Sequence, residues 1–222
     1  MQLYYNTFLK FLLVSLCIIL HIEMFAANKV STGSTAWGTA STWFPTGVPA
    51  AGDNVTILAG HTITMNGNAG NCLSLTIRGT ANWTQARTTN VGAGGLFMSG
   101  GTITGSATGI LNVLGPFTMA GTNNIARNTI TVTGVTTVSS MLSITSATGT
   151  KTFTNFIITS PGVFNNTANS AITINGNFQN DGTFTSGIGM YTFGGAANNT
   201  LIGISVSNFT GITINKGTSS NN

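Results

Sequence analysis

The feature that most constrains this chain is a period-two alternation carried in short runs. Between residues 41 and 83 the apolar side chains fall two apart, at Val55/Ile57, Ile63/Met65 and Leu73/Leu75/Ile77. That spacing turns one face of an extended strand inward and leaves the other outside. The runs are separated by Gly60, Asn66, Gly67, Asn68, Gly70, Asn71 and Gly79, residues that accept the positive φ of tight turns. A turn cluster of Pro45, Gly47, Pro49, Gly52, Asp53 and Asn54 precedes them. The alternation returns at 110–114, 129–133, 142–145, 153–159, 171–175, 191–193, 201–206 and 212–214. Pro, Gly or Asn interrupts every window long enough for a helix. Residues 84–95, TQARTTNVGAGG, lack the alternation and read as a loop leaving the body.

Composition narrows the class further. Only 5% of the 222 residues are charged, and the net charge is +4. A chain poor in charge and rich in Thr, Ile, Val and Phe is unlike a disordered one and suits an all-β fold with a polar, uncharged surface. Arg78, Arg87, Arg127, Lys151 and Lys216 stand singly, so nothing resembles a basic nucleic-acid patch, and no nucleic-acid partner is expected.

Residues 1–27 read as a secretory signal peptide. Lys10 precedes an apolar core at 11–20, and a polar break at His21 and Glu23 leads to small residues at Ala26 and Ala27. A core of about ten residues is too short to span a bilayer, so no stable membrane span is expected after its removal. Met24 or Phe25 falls where a small residue is preferred for cleavage, which leaves a retained N-terminal anchor as the alternative. Cys17 lies in this core without the small residues of a lipid-attachment box. Beyond the signal only Cys72 and His61 remain of their types. A single thiol cannot form an internal disulfide, so stability must come from the core and the backbone ladder. Cys72, just before a strand-like run, reads as a small buried hydrophobe, with intermolecular pairing as the sharper alternative.

Such runs fold most simply as a right-handed parallel β-helix, a solenoid whose coils bury their apolar faces only by stacking. Two-residue hairpin signals are few, which disfavours the alternative sandwich or jelly roll. Residues 153–166 lie over 209–222 at an offset of 56, read as two coils of ~20–30 residues each. More loosely, 112–117 resembles 173–178. Trp37, Trp43 and Phe44 precede the first regular strand and read as a lid over the exposed first coil, or else as an aromatic platform for sugar rings. The expected organisation is a signal peptide at 1–27, an N-terminal cap with the first coils at 28–90, and continuing coils at 91–222. No capping element follows 212–214, so the chain reads as an open-ended, truncated solenoid.

The early residues carry a family likeness. Trp43, Pro49, Gly52, Asp53, Val55, Thr56, Ile57, Gly60, Leu73, Leu75, Ile77 and Gly79 resemble the G8 type of N-terminal module, with its Trp, then V-P-x-x-G-D-x-V-x-I-x-x-G, then a strand ending before a Gly. The chain departs from that pattern at Asn66, where Asp is common, and at Ala81, where a larger aliphatic is usual. Residues 171–194 and 208–217 resemble coils of large secreted β-helix proteins of Bacteroidetes, commonly exported through a C-terminal sorting domain. That resemblance implies surface adhesion or carbohydrate binding and supplies no catalytic residues.

Catalytic chemistry has little to work with. After the signal the acids are Asp53 and Asp181. At ~25 residues and ~4.8 Å per coil they would stand roughly 25 Å apart, too far for the paired carboxylates of glycoside hydrolysis. Gly52-Asp53-Asn54 and Asn180-Asp181-Gly182 are turn tripeptides in which Asp bonds its own backbone. His61, Cys72 and two acids cannot assemble a zinc site, calcium is disfavoured because Asn-rich carbonyl turns alone bind it weakly, and His61 reads as a surface turn residue. No metal or cofactor is expected. The glycine-rich piece 92–95 lacks the lysine and helix of a phosphate loop. Thr-x-Thr pairs recur at 62/64, 102/104, 129/131, 152/154 and 183/185, a pattern that can order water or bind ice on a flat face. Their intervals look too uneven for one array, and threonine is simply a good outward strand residue. Asn54, Asn82, Asn165, Asn198 and Asn208 lie in glycan-acceptor sequons, which the bacterial resemblance renders silent.

The expected function is a secreted or outer-surface structural, adhesin-like segment without catalysis, its partners an extracellular polysaccharide or a surface protein. The alternative is a carbohydrate-binding module of a larger secreted polysaccharide-active enzyme, with Trp37, Trp43 and Phe44 as the binding candidates. A row of exposed aromatics would favour the module, and a Thr/Asn coat would favour adhesion or spacing.

Overall fold

The computed structural model describes residues 26–66, 70–106 and 108–216. Cys17 and the apolar core of the signal reading lie outside the described residues, as do Gly67, Asn68 and the tail from 217 onward. The described chain is a parallel β-solenoid of about seven turns. Its only helical piece among these residues is a short 3-10 turn at Ala40–Thr42.

Each coil lays down three strand segments, which define three faces. The first face begins with Asn54–Ile57, the second with Thr62–Thr64 and the third with the start of Gly70–Ile77. Every segment pairs in parallel with its counterparts one coil before and after. On the first face the inward column runs Val55, Leu75, Leu96, Phe117, Thr136, Phe156 and Phe178. On the third it runs Cys72, Val91, Val113, Val132, Phe153, Ile174 and Phe193. Ile63, Ala81, Ile103, Ile125 and Ile144 line the second. A coil takes about 20 residues, the short end of the solenoid range.

Alternation explains this arrangement directly. Strands such as Asn54–Ile57 and Ile110–Val113 turn every second side chain into the core and its neighbours outward. No single rung could hide its apolar side from water, so the driving force appears only on stacking. The filling also changes along the axis. Early coils use Ile, Leu, Val and Met, whereas later coils interlock rings: Phe156 meets Phe153 at 4.9 Å, Phe164 at 5.0 Å and Phe178 at 6.3 Å.

The first rung is closed by an antiparallel addition. Asn28–Ser31 pairs in parallel with Asn54–Ile57, and Trp43–Phe44 then pairs antiparallel with Asn28–Ser31. Trp37 and Trp43 cover the core there, with ring centroids 5.1 Å apart in an edge-to-face contact. The Trp43 indole N–H donates to the Trp37 carbonyl at 2.9 Å.

Three expectations are corrected. Residues 84–95 are not a loop leaving the body, because Thr88–Ser99 is a single long strand. Its glycines serve the corner where the third face bends into the first: Gly95 has φ of 79°, and a Cβ there would lie 2.2 Å from the Pro116 carbonyl oxygen. The offset of 56 is not a coil repeat either. Phe153 stacks under Ile174, Phe193 and then Ile214, so Phe209 is out of register with it. The looser match is the true one, since Asn112 lies three coils below Thr173 and Phe117 three below Phe178. Finally, the run at 201–206 pairs only over Leu201–Ile202, leaving Ile204 and Val206 exposed.

Truncating Phe156 removes the ring at the centre of this cluster. Phe156→Ala is expected to lower unfolding free energy by about 3–5 kcal/mol in denaturant titration. The same change at the exposed Phe44 should cost under about 0.5 kcal/mol.

Candidate functional site

The ionisable side chains are placed for structure. Asp53 accepts from the backbone N–H of Ala27 at 3.0 Å and of Ala50 at 2.8 Å, fastening the first rung to the turn before the next. Asp181 accepts from the Ile204 N–H at 3.0 Å and from the Gln179 amide. The two carboxylates lie six rungs apart along the first face, about 29 Å at ~4.8 Å per rung. That separation is too large for a shared substrate bond.

One pair was invisible in the sequence. The Ser31 hydroxyl oxygen lies 2.8 Å from His61 Nδ1 and accepts from the Leu58 N–H at 2.9 Å. The hydroxyl has one donor and two acceptor positions, so it can serve the Leu58 N–H and either tautomer of the imidazole together. Ser31 is 1% exposed, so no substrate carbonyl can approach it. The pair ties the first strand to the 58–61 turn. His61 is half-buried beside that turn.

Cys72 is buried on the inward column of the third face. Burial, and then the nearby negative charge of Asp53, push its thiol up to about 12, so it stays protonated and unreactive. Among the described residues no three His, Cys, Asp or Glu side chains gather as a metal site. No helix among them is long and apolar enough to cross a membrane.

The unexpected charge is Lys151. It occupies a second inward column of the third face, two residues before Phe153, between Ile130 and Ile172, and is 1% exposed. Its ammonium reaches the corner and donates to the carbonyls of Thr148 at 2.5 Å and Gly149 at 2.8 Å. Burial lowers its pKa to about 8. Two coils on, Asn166 and Tyr191 form a similar corner. The Asn166 amide donates to the Ser170 carbonyl at 2.9 Å and the Tyr191 hydroxyl oxygen at 3.0 Å, and Tyr191 donates to the Ser186 carbonyl at 3.1 Å.

The aromatic candidates separate. Trp37 and Trp43 are buried at 2% and 1% exposure, while Phe44 shows 69% of its surface. Neither indole offers an open face to a sugar ring.

What the outer surface does carry is columns of hydroxyl and amide side chains. On the third face Asn71, Asn90 and Asn112 form a ladder, each higher amide donating to the one below at 2.8 and 2.9 Å. Thr131, Thr152, Thr173, Thr192 and Thr213 continue the same column. On the second face Thr62, Thr80, Thr102, Asn124, Ser143, Asn165 and Thr185 stand in line. The Thr-x-Thr pairs therefore belong to two faces: 62/64, 102/104 and 183/185 to the second, 129/131 and 152/154 to the third. Their uneven intervals in sequence come from reading two surfaces as one. A depression of about 240 Å³ lies along Asn90, Asn112, Thr131 and Thr133, with exposed Leu114 at its edge.

No family model, curated protein or solved structure matches the chain.

Two outcomes test these placements. An unfolded lysine holds its proton to 10.5 and Lys151 to about 8, so between those values the unfolded chain binds more protons at this site, and the Lys151 contribution to stability rises with pH. The raised Cys72 thiol and Tyr191 phenol pull the other way at the alkaline end, so the readout is a difference: the urea midpoint of the wild type relative to Lys151→Met should climb over that window and stay level below it. Cys72 should resist a thiol reagent in the folded protein and react once denatured.

Proposed function

We propose that this chain is a secreted or outer-surface structural segment, adhesin-like and without a catalytic role, built to present an extended uncharged surface. The observation that carries the reading is the outer coat: the outward columns of the second and third faces are Thr, Asn and Ser, with few apolar positions. Such a surface stays soluble without strong fields and offers many weak hydrogen-bonding positions to a broad partner. The two acids are spent on backbone N–H groups, which also supports a non-enzymatic reading. The likeness of residues 43–79 to the G8 module, and of the later coils to secreted Bacteroidetes β-helices, fits a role outside the cell.

The second reading, a carbohydrate-binding module of a larger polysaccharide-active enzyme, is favoured by one feature, the exposed ring of Phe44. Sugar-binding surfaces stack pyranose rings on several aromatics, and Phe44 is the one large exposed aromatic among the described residues.

Glycan-array binding and reducing-sugar release by the purified protein separate these readings. The structural reading expects no hydrolysis and no selective oligosaccharide binding altered by Phe44→Ala. Selective binding lost in that variant establishes the module instead. Hydrolysis lost in both Asp53→Asn and Asp181→Asn overturns the non-catalytic role.

A further inference from the structure

The third face carries a regular column. Thr131, Thr152, Thr173, Thr192 and Thr213 are successive members of one in-register column. Parallel pairing fixes them ~4.8 Å apart along the axis, and neighbours two residues along a strand stand ~6.6 Å away. Thr129 and Thr150 flank its first two members on one side and Thr133 and Thr154 on the other, whereas Ala171 and Asn175 flank Thr173 and Met190 and Gly194 flank Thr192.

Two features make this column a uniform, unpaired surface. The first is hydrogen bonding. Thr133 and Thr154 spend their hydroxyls on the Val113 and Val132 carbonyls, each at 3.2 Å. Among the described residues no partner takes up the hydroxyls of the five column threonines. The second is charge. Between residues 129 and 215 no outward position of this face is charged, because Lys151 points into the core. A β-branched side chain is stiff at χ1, so each hydroxyl and methyl repeats with the backbone. Each hydroxyl offers one donor and two acceptor directions.

A fixed, evenly spaced column of this kind complements a partner that is itself a periodic lattice. A dissolved sugar meets only a few of its points, and a charged polymer finds no counter-charge. The surface of ice is a lattice of hydrogen-bonding oxygens whose repeat along the a axis is close to the rung spacing. Hydroxyls and methyls already fixed at that repeat need little further ordering on docking, which lowers its entropic cost.

We propose that the threonine column of the third face, centred on Thr152 and Thr173, binds the surface of ice. The inference depends on the column register and not on the adhesive reading.

The test is partition of the purified full chain into slowly grown ice, together with inhibition of ice recrystallisation. Wild type should be enriched in the ice fraction. Thr152→Tyr and Thr173→Tyr, which raise a bulky ring above the column, should each lower that enrichment at least about tenfold, as loss of a central contact does. Their thermal melts should match the wild type, since both side chains point outward. Thr102→Tyr on the second face should leave enrichment unchanged. Absence of wild-type enrichment overturns the proposal. So does wild-type behaviour of both third-face variants, or an equal loss in Thr102→Tyr. Retention on insoluble polysaccharide without partition into ice also overturns it, while leaving the surface-protein reading intact.

Discussion

Everything in this molecule depends on one constraint, the in-register parallel pairing of each rung with its neighbours. A buried backbone group must find a hydrogen-bond partner, and in a solenoid that partner belongs to the next coil. Once register is fixed, residues about 20 positions apart become stacked neighbours, and one substitution is felt by the same column above and below. The core is therefore a set of vertical lines. One line changes gradually from Val55 and Leu75 to Phe156 and Phe178 without altering the plan.

The same constraint explains the polar groups inside. Strand segments bury apolar residues, but the corners turn carbonyls inward, and those need donors. Lys151 supplies them at one corner, and Asn166 with Tyr191 at another. A buried cation is costly to desolvate, and its depressed pKa records that cost. The carbonyls it binds would otherwise be stranded. Asn123 does comparable service on the second face, its amide donating to the Ala120 carbonyl at 2.9 Å while its oxygen accepts from the Gly101 N–H at 3.0 Å.

The faces were legible from period two because alternation is a local property, readable wherever one side is buried. The corners were not. Residues 92–95 look like a flexible link in sequence, but Gly94 and Gly95 are required by close backbone approach between coils, a fact about neighbours about 20 residues away. The repeat was sought through matched letters, and the stronger-looking match at 153–166 reflects shared composition, whereas the weaker one at 112–117 has the true register. The threonine columns were hidden for a related reason, since pairs on two faces interleave along the chain. Ser31 and His61 meet only because an N-terminal strand docks beside the first coil. Lys151 reads as one more scattered cation until the register turns it inward.

The asparagine ladder beneath the threonines has a directional consequence. Asn112 donates to Asn90 and Asn90 donates to Asn71, so all three amides point the same way along the axis. Turning the middle amide end over end would break both contacts at once and set like atoms against each other. The trio thus shares one polarity, which gives this stretch of surface a head and a tail that its neighbouring hydroxyls lack.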